Sequence, residues 1–312
     1  MKTLVLSMIS IAATVAAMTA CTSEGDPIDN IDNGQPVEIK ASAGIGEIIT
    51  KTAGVITDGK EVDDIEFIIT EGEDAPADWS TATLNMTDAT IAADKSLTFK
   101  TSQYYNSKAS IKSFLIGYHP KTAGSGSRNN NIVSYTITGQ QDIMCTEVNS
   151  GNKTDNKNKN LDIKFDHQLA QYSFQILAGD AQAVKTWGKI KSIELIGQQT
   201  TATLTLNTKA LTFSGGATNT ITVGTTETGF DSTNPTTTAV LFGAPIMVQP
   251  NQTDMKVKVV TTNNSDGIEV PLTVASVAST SYIVTLTFKA TEIGATATIG
   301  EWLTGTGSGD VQ

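Results

Sequence analysis

Apolar and polar residues trade places along much of this chain, in short runs rich in Thr and Val, and little besides β-sheet satisfies such a pattern. Thr201-Ala-Thr-Leu-Thr-Leu206, Lys256-Val-Lys-Val-Val260 and Tyr282-Ile-Val-Thr-Leu-Thr-Phe288 show it best. A period of two sends successive side chains to opposite faces, so each run reads as a half-buried strand. Polar turn clusters separate the runs at residues 124–131, 149–160, 215–216, 231–235 and 263–267. Many short strands with wet outer faces predict an all-β protein of antiparallel β-sandwiches. Helix is confined to a turn or two between Asp180 and Trp187. The Lys- and Asn-rich stretch 149–160 is too polar to bury apolar surface and reads as a solvated loop or hairpin tip. It divides the chain into two sandwiches, 37–167 and 168–312, without a sequence repeat between them.

The start of the chain carries a different signal. Lys2 precedes an apolar run at residues 4–17, which is shorter than the ~20 residues of a membrane-spanning helix. The run ends at Met18-Thr19-Ala20-Cys21, the spacing at which bacterial lipoproteins are cut and acylated. Residues 1–20 therefore read as a lipoprotein signal peptide and Cys21 as the lipid attachment site; an ordinary secretory signal is the alternative that an Ala-rich end also suits. Acyl chains at ~0.8 kcal/mol per buried methylene would hold the protein at the outer membrane without a transmembrane segment. Residues 21–36 form an acidic tether. Its run Thr22-Ser-Glu-Gly-Asp26 resembles a signal that carries some Gram-negative lipoproteins to the cell surface, and equally suits a flexible linker.

With Cys21 acylated, Cys145 has no partner for an intramolecular disulfide, so stability falls to core burial. A chain of 312 residues with 39% hydrophobic composition has the material for it. A formal charge of −11, with Arg128 as the sole arginine, argues against nucleic acid as a partner. Imidazole comes only from His119 and His167, both inside strand patterns. Asp166 beside His167 makes a poor orienting pair, because neighbours on a strand point to opposite faces. The histidines and cysteines lack metal-ligand spacing, and Asp29-Asn-Ile-Asp-Asn-Gly34 has Ile31 and Lys40 at calcium-ligand positions. No catalytic residue, metal or cofactor is expected. Sugar binding competes, since exposed aromatics stack on glycans. Trp79, Trp187 and Trp302 read as core or interface residues, which leaves Tyr104-Tyr105 as the sugar-platform candidate.

Several segments together resemble a known family. They are Ile49-Thr-Lys-Thr-Ala53, Phe114-Leu-Ile-Gly-Tyr-His-Pro120, Ile137-Thr-Gly-Gln-Gln-Asp-Ile-Met144, Leu161-Asp-Ile-Lys-Phe-Asp-His-Gln-Leu-Ala-Gln171, Trp187-Gly-Lys-Ile-Lys-Ser-Ile193 and Ile299-Gly-Glu-Trp302. Their order and spacing are similar to those of the fimbrillin-like lipoproteins, which build shafts and tips of pili in Gram-negative gut and oral bacteria. The resemblance implies two transthyretin-like β-sandwich domains, lipoprotein export, trimming by a trypsin-like protease and polymerisation by β-strand exchange. On it, Lys51 sits where the family is processed, and the mature chain would begin at Thr52.

Such assembly needs a removable strand and a replacement. Between residues 37 and 45 every odd position is apolar: Val37, Ile39, Ala41, Ala43 and Ile45. A strand of this kind laid into an open sheet edge would bury about 5–10 kcal/mol of apolar side chain. Near the other end, Ile293, Ala295, Ala297 and Ile299 repeat the order Ile-Ala-Ala-Ile at the same spacing. The first segment reads as an N-terminal plug strand and the second as a candidate donor strand, although either pattern also suits an ordinary half-buried strand. The reading is a structural pilus subunit with other subunits as partners. Alternatives are a fimbrial tip or stand-alone adhesin with a host or bacterial receptor, and a carbohydrate-binding lipoprotein. Asp231-Ser232-Thr233 resembles an O-glycan acceptor motif, and a plain turn explains it equally well.

Overall fold

A computed structural model describes residues 35–45, 61–80, 85–121, 128–225 and 236–299. The signal peptide, Cys21, the acidic tether up to residue 34, Lys51, Thr52, Ser232, Thr233 and Trp302 lie outside the described residues. The first strands are β1 (Ala41–Ile45), β2 (Val62–Gly72), β3 (Asn85–Ile91), β4 (Ser96–Phe99) and β5 (Lys112–His119). The hairpin β6 (Arg128–Asn129) and β7 (Ile132–Thr136) follows, then β8 (Met144–Thr146), β9 (Asn149–Gly151) and β10 (Leu161–His167). After two residues come β11 (Ala170–Ala178), the short helix α1 (Ala183–Trp187), β12 (Ile190–Gln198), β13 (Thr201–Thr205), β14 (Ala210–Ser214) and β15 (Asn219–Thr225). The last strands are β16 (Val240–Val248), β17 (Met255–Thr261), β18 (Ile268–Leu272), β19 (Ser281–Phe288) and β20 (Ile293–Ile299).

Main-chain pairing in the first half runs β2-β3-β4-β1-β10-β8-β5 and returns from β5 to β2, a closed ring of seven strands, with β9 attached to the start of β5. The sequence predicts a sandwich here. The ring closes because β2 and β5 pair over seven residues, Glu66 with Tyr118 through Gly72 with Lys112, while β1 bridges β4 and β10. Its interior is lined by Ile65, Phe67, Ile69, Ala89, Ile91, Leu97, Leu115 and Phe165. Phe67 meets Phe99 and Phe165 edge-on, with centroids 5.4 and 5.8 Å apart. Gly117 makes room for them: a Cβ there would stand 2.6 Å from Phe67 Cζ.

The ring is also buried on part of its outside. Ile68, Phe114, Ile116, Tyr118 and Cys145 belong to a second core, together with Val133, Tyr135, Ala202 and Leu204 of the sheet β14-β13-β7-β6. That sheet draws strands from both sides of residue 167. Two more four-stranded sheets, β16-β11-β19-β20 and β15-β12-β17-β18, contribute to the same core through Tyr172, Phe174, Val284, Leu286, Ile193, Leu195, Val257 and Val259. They meet at both rims, β15 beside β16 and β18 beside β20.

The strands read from alternation appear as β13, β17 and β19, and the helix falls where it is expected. Asp180 starts that helix, its Oδ1 accepting the N–H groups of Gln182 at 2.9 Å and Ala183 at 2.8 Å. The stretch 149–160 differs from expectation at its start. Asn149–Gly151 pairs with β5, and buried Asn152 accepts the N–H groups of Thr154 and Asp155. A polar segment thus enters the sheet by main-chain bonding alone, which needs no apolar side chain.

Candidate functional site

Residues 37–45 occupy a slot in the ring. Ala41 to Ile45 pair in parallel with Leu161 to Phe165 of β10, and on the other side Ala41 and Ser42 pair antiparallel with Leu97 and Ser96 of β4. The approach is also bonded: Ile39 N–H donates to Gln103 O (2.7 Å), Tyr105 N–H to Val37 O (2.9 Å), and Leu161 N–H to Lys40 O (2.8 Å). Ile39, Ala41 and Ala43 are 3%, 4% and 1% exposed, while Val37 and Ile45 are half-buried. They pack with Leu97, Tyr105, Leu161, Ile163 and Phe165. The start of the segment Leu161 to Gln171 quoted above is therefore one wall of the slot. Its role was hidden in the sequence, because a half-buried strand looks the same whether its neighbour is permanent or removable. On the outward side of β1, a Cβ added to Gly44 would meet nothing within 4 Å.

The second Ile-Ala-Ala-Ile pattern is β20. All seven of its residues pair with β19, from Ile293 with Phe288 to Ile299 with Tyr282. Ile293 is buried, Ala295 and Ala297 are half-buried against the core, and Ile299 is 36% exposed. No strand pairs with its other side among the described residues. The two patterns thus sit in different sheets, one with strand neighbours on both sides and one at an edge.

Where the ring meets the β6–β7 hairpin there is a charged cluster that the sequence does not announce. Glu66 is buried, and a buried carboxylate is costly unless paired. The Tyr118 hydroxyl donates to it, and Lys121 Nζ and Arg128 Nε both stand 3.8 Å from it. Lys121 also donates to Asp88, which holds the Asp88 carboxyl below its ordinary range and raises the Lys121 amine. The sole arginine, with its side chain 15% exposed, is therefore engaged in holding β6 against β2. A second link joins the β13–β14 turn to the ring, where Lys209 donates to Glu147 and, at 3.2 Å, to Asp166.

Both histidines converge on Asp142. His167 Nδ1 lies 2.7 Å from its carboxylate, and His119 Nδ1 donates to its main-chain carbonyl at 2.8 Å. The partner of His167 is thus a residue 25 positions away, and its neighbour Asp166 turns to Lys164 and Lys209. Burial pushes the Cys145 thiol up to about 12. Trp79 is fully buried, and Trp187 is buried with Nε1 donating to Lys289 O at 2.6 Å. Of the Tyr104-Tyr105 pair, Tyr104 is exposed and Tyr105 is in the ring core, so the suggested sugar platform reduces to one ring.

The sequence model of the fimbrillin-like family matches residues 50–302. The chain belongs to the fimbrillin-like family. No curated protein matches the sequence significantly. Among solved structures, this fimbrillin-like chain is similar to a candidate cell adhesion protein from Bacteroides uniformis, with TM-score 0.58 and 19% identity over 86% of this chain and 100% of that one. A candidate cell adhesion protein from Bacteroides ovatus gives 0.55 and 13%, covering 86% and 99%. One from Parabacteroides distasonis gives 0.51 and 11%, covering 85% and 96%. At these identities the likeness establishes the fold of the fimbrillin-like chain across nearly the whole of each relative. No helix among the described residues is long and apolar enough to cross a membrane.

Proposed function

We propose that this chain is a structural subunit of a cell-surface fimbria, made as a lipoprotein acylated at Cys21 and presented at the outer membrane. A trypsin-like protease cuts after Lys51, so that the assembled subunit begins at Thr52. The cut frees the segment containing β1, and the slot between β4 and β10 then takes Ile293, Ala295, Ala297 and Ile299 from another subunit. The chain is read as two β modules, 37–167 and 168–312, the first accepting a strand and the second giving one.

The observation that carries this reading is the size of the side chains that β1 buries. Ala41 and Ala43 lie at the centre of the slot, flanked by Ile39 and Ile45, and Ala295 and Ala297 flanked by Ile293 and Ile299 match them in order and spacing. On the opposite face the match would set Thr298 where Gly44 is, and the space beyond Gly44 is open. Main-chain pairing is indifferent to side-chain identity, so a second strand with the same inward profile fits the same ladder. Arg128 is held by Glu66, which supports cleavage at a lysine rather than at the one arginine.

The test is to add a lysine-cleaving protease to purified protein and look for a ladder of polymers on a denaturing gel. Deleting residues 293–312 should abolish the ladder. Polymer subunits still acylated at Cys21, or ladders that persist after the deletion, would overturn the scheme. One observation favours a second reading: β20 is fully paired with β19 in its own subunit. A subunit that accepts a strand and gives none would be a tip or stand-alone adhesin, and would cap polymers of other subunits without forming a ladder itself.

A further inference from the structure

The Lys- and Asn-rich stretch has no apolar side chain between residues 150 and 160, yet its conformation is closely tied down. Asn152 Oδ1 accepts the N–H groups of Thr154 and Asp155, and Asn152 Nδ2 donates to Asp155 at 2.6 Å. Asn156 Oδ1 accepts Asn152 N–H at 3.1 Å. Main-chain bonds from Asn156 N–H to Asn152 O and from Lys159 N–H to Asn156 O carry the turn on towards Leu161. Asparagine side chains here take the place of packing in fixing the backbone.

This turn lies at the end of the slot where the chain enters it. Leu161 N–H donates to Lys40 O on the β10 side of residues 37–40. On the opposite side Tyr105 N–H donates to Val37 O, Ile39 N–H donates to Gln103 O, and Tyr104 bridges to Glu38. The two flanks also meet each other. Tyr105 is buried and its hydroxyl reaches the turn: a Cβ at Gly151 would stand 2.8 Å from that hydroxyl and 2.6 Å from Asn156 Oδ1. The far end of the strand has no such hold. Pairing with β4 covers Ala41 and Ser42, with one more bond from Ala43 N–H to Lys95 O. Among the described residues Gly44 and Ile45 pair with β10 alone, and Ile45 is half-buried.

We propose that residues 151–160 and Tyr105 form a clasp on residues 37–40, so that the strand leaves its slot from Ile45 towards Val37. This rests on the reading of β1 as the removable strand. The cut after Lys51 frees the loosely held end, and the clasped end is the last to go. An incoming strand in the matching register, with Ile299 in the place of Ile45, pairs beside Phe165 while the outgoing strand is still held at Lys40. Exchange then proceeds without opening the whole apolar lining of the ring to water, which a strand released all at once would do.

The test is hydrogen exchange, amide by amide, on the uncut chain. Ala43 and Ile39 both bond on the β4 side, one at the loose end and one at the clasped end, and Ala43 should be less protected by at least about 10-fold. Gly151→Ala adds a methyl whose nearest contacts are the side-chain ends of Asn156 and Tyr105. It should speed exchange of Ile39, Tyr105 and Leu161 by about 10-fold or more and leave Ala43 little changed. Asn152→Ala, which removes the bonds that fix the turn, should do the same by a second route. Equal or reversed protection of Ala43 and Ile39 would overturn the clasp, as would variants that leave Ile39 at its wild-type rate or speed Ala43 as much as Ile39. A missing polymer ladder alongside this gradient would instead sink strand exchange and leave the clasp standing.

Discussion

β1 and β11 occupy equivalent places in the two halves of the molecule. Each runs parallel to one neighbour, β10 or β19, and antiparallel to another, β4 or β16. They differ in what they bury. β11 pairs eight residues with β19 and fills the core with Tyr172, Phe174 and Ile176, Tyr172 stacking on Tyr282 with centroids 4.9 Å apart. β1 pairs five residues with β10 and two with β4, and its buried centre is Ala41 and Ala43. Burial free energy grows with apolar area. The strand with more pairs and larger buried side chains thus locks its half of the fold, and the one with fewer pairs and a centre of alanines is lightly seated.

The largest expected effect is on the locked strand. Phe174→Ala should lower global stability by about 3–5 kcal/mol, read from the urea midpoint. A loss below about 1 kcal/mol would erase the contrast, since substitutions of that size are ordinary. Ile39→Ala in the segment leading into β1 should cost less, about 2–3 kcal/mol, and should appear in a different place. Hydrogen exchange of amides 41–45 should accelerate while the global midpoint moves little. If instead the midpoint falls as far as for Phe174→Ala, β1 is as much a part of the global fold as β11.

Alkaline pH should loosen the slot by a smaller amount. Burial pushes the Tyr105 phenol up to about 12. A group whose pKa is raised on folding contributes stability that is fully present below its unfolded value and lost as pH rises through the folded one. The window is therefore from about pH 10 to 12. Because Tyr105 N–H bonds Val37 O, exchange at 41–45 should respond first, and Tyr105→Phe should remove the response. The smallest effect belongs to Asp88. Its depressed pKa, due first to the Lys121 hydrogen bond, contributes stability that disappears as pH falls below about 4, and Asp88→Asn should flatten that limb only slightly because the pair is partly exposed.

Much of the sheet was legible residue by residue. β13, β17 and β19 each show the period of two, and the Asp180 to Trp187 segment shows its helix, since these depend on neighbours along the chain. β2 was harder, because Ile65 to Thr70 are all buried: odd positions face the ring and Ile68 faces the second core. Such a strand loses its alternation, and periodicity is then silent about its faces. Of the slot, the apolar positions of β1 were readable. Its walls were not, since Leu97 and Leu161 lie far apart in sequence. The same reason hid Asp142 from His167 and Glu66 from Arg128.

What the order of residues alone determined is local: strand content, the inward face of each run, and the two matching patterns at 39–45 and 293–299. Which strand lies beside which was decided by tertiary closure. Alternation records that a face is covered but carries no label for what covers it, and only the folding of distant segments into a ring gave β1 a strand on either side while leaving β14 and β20 at edges.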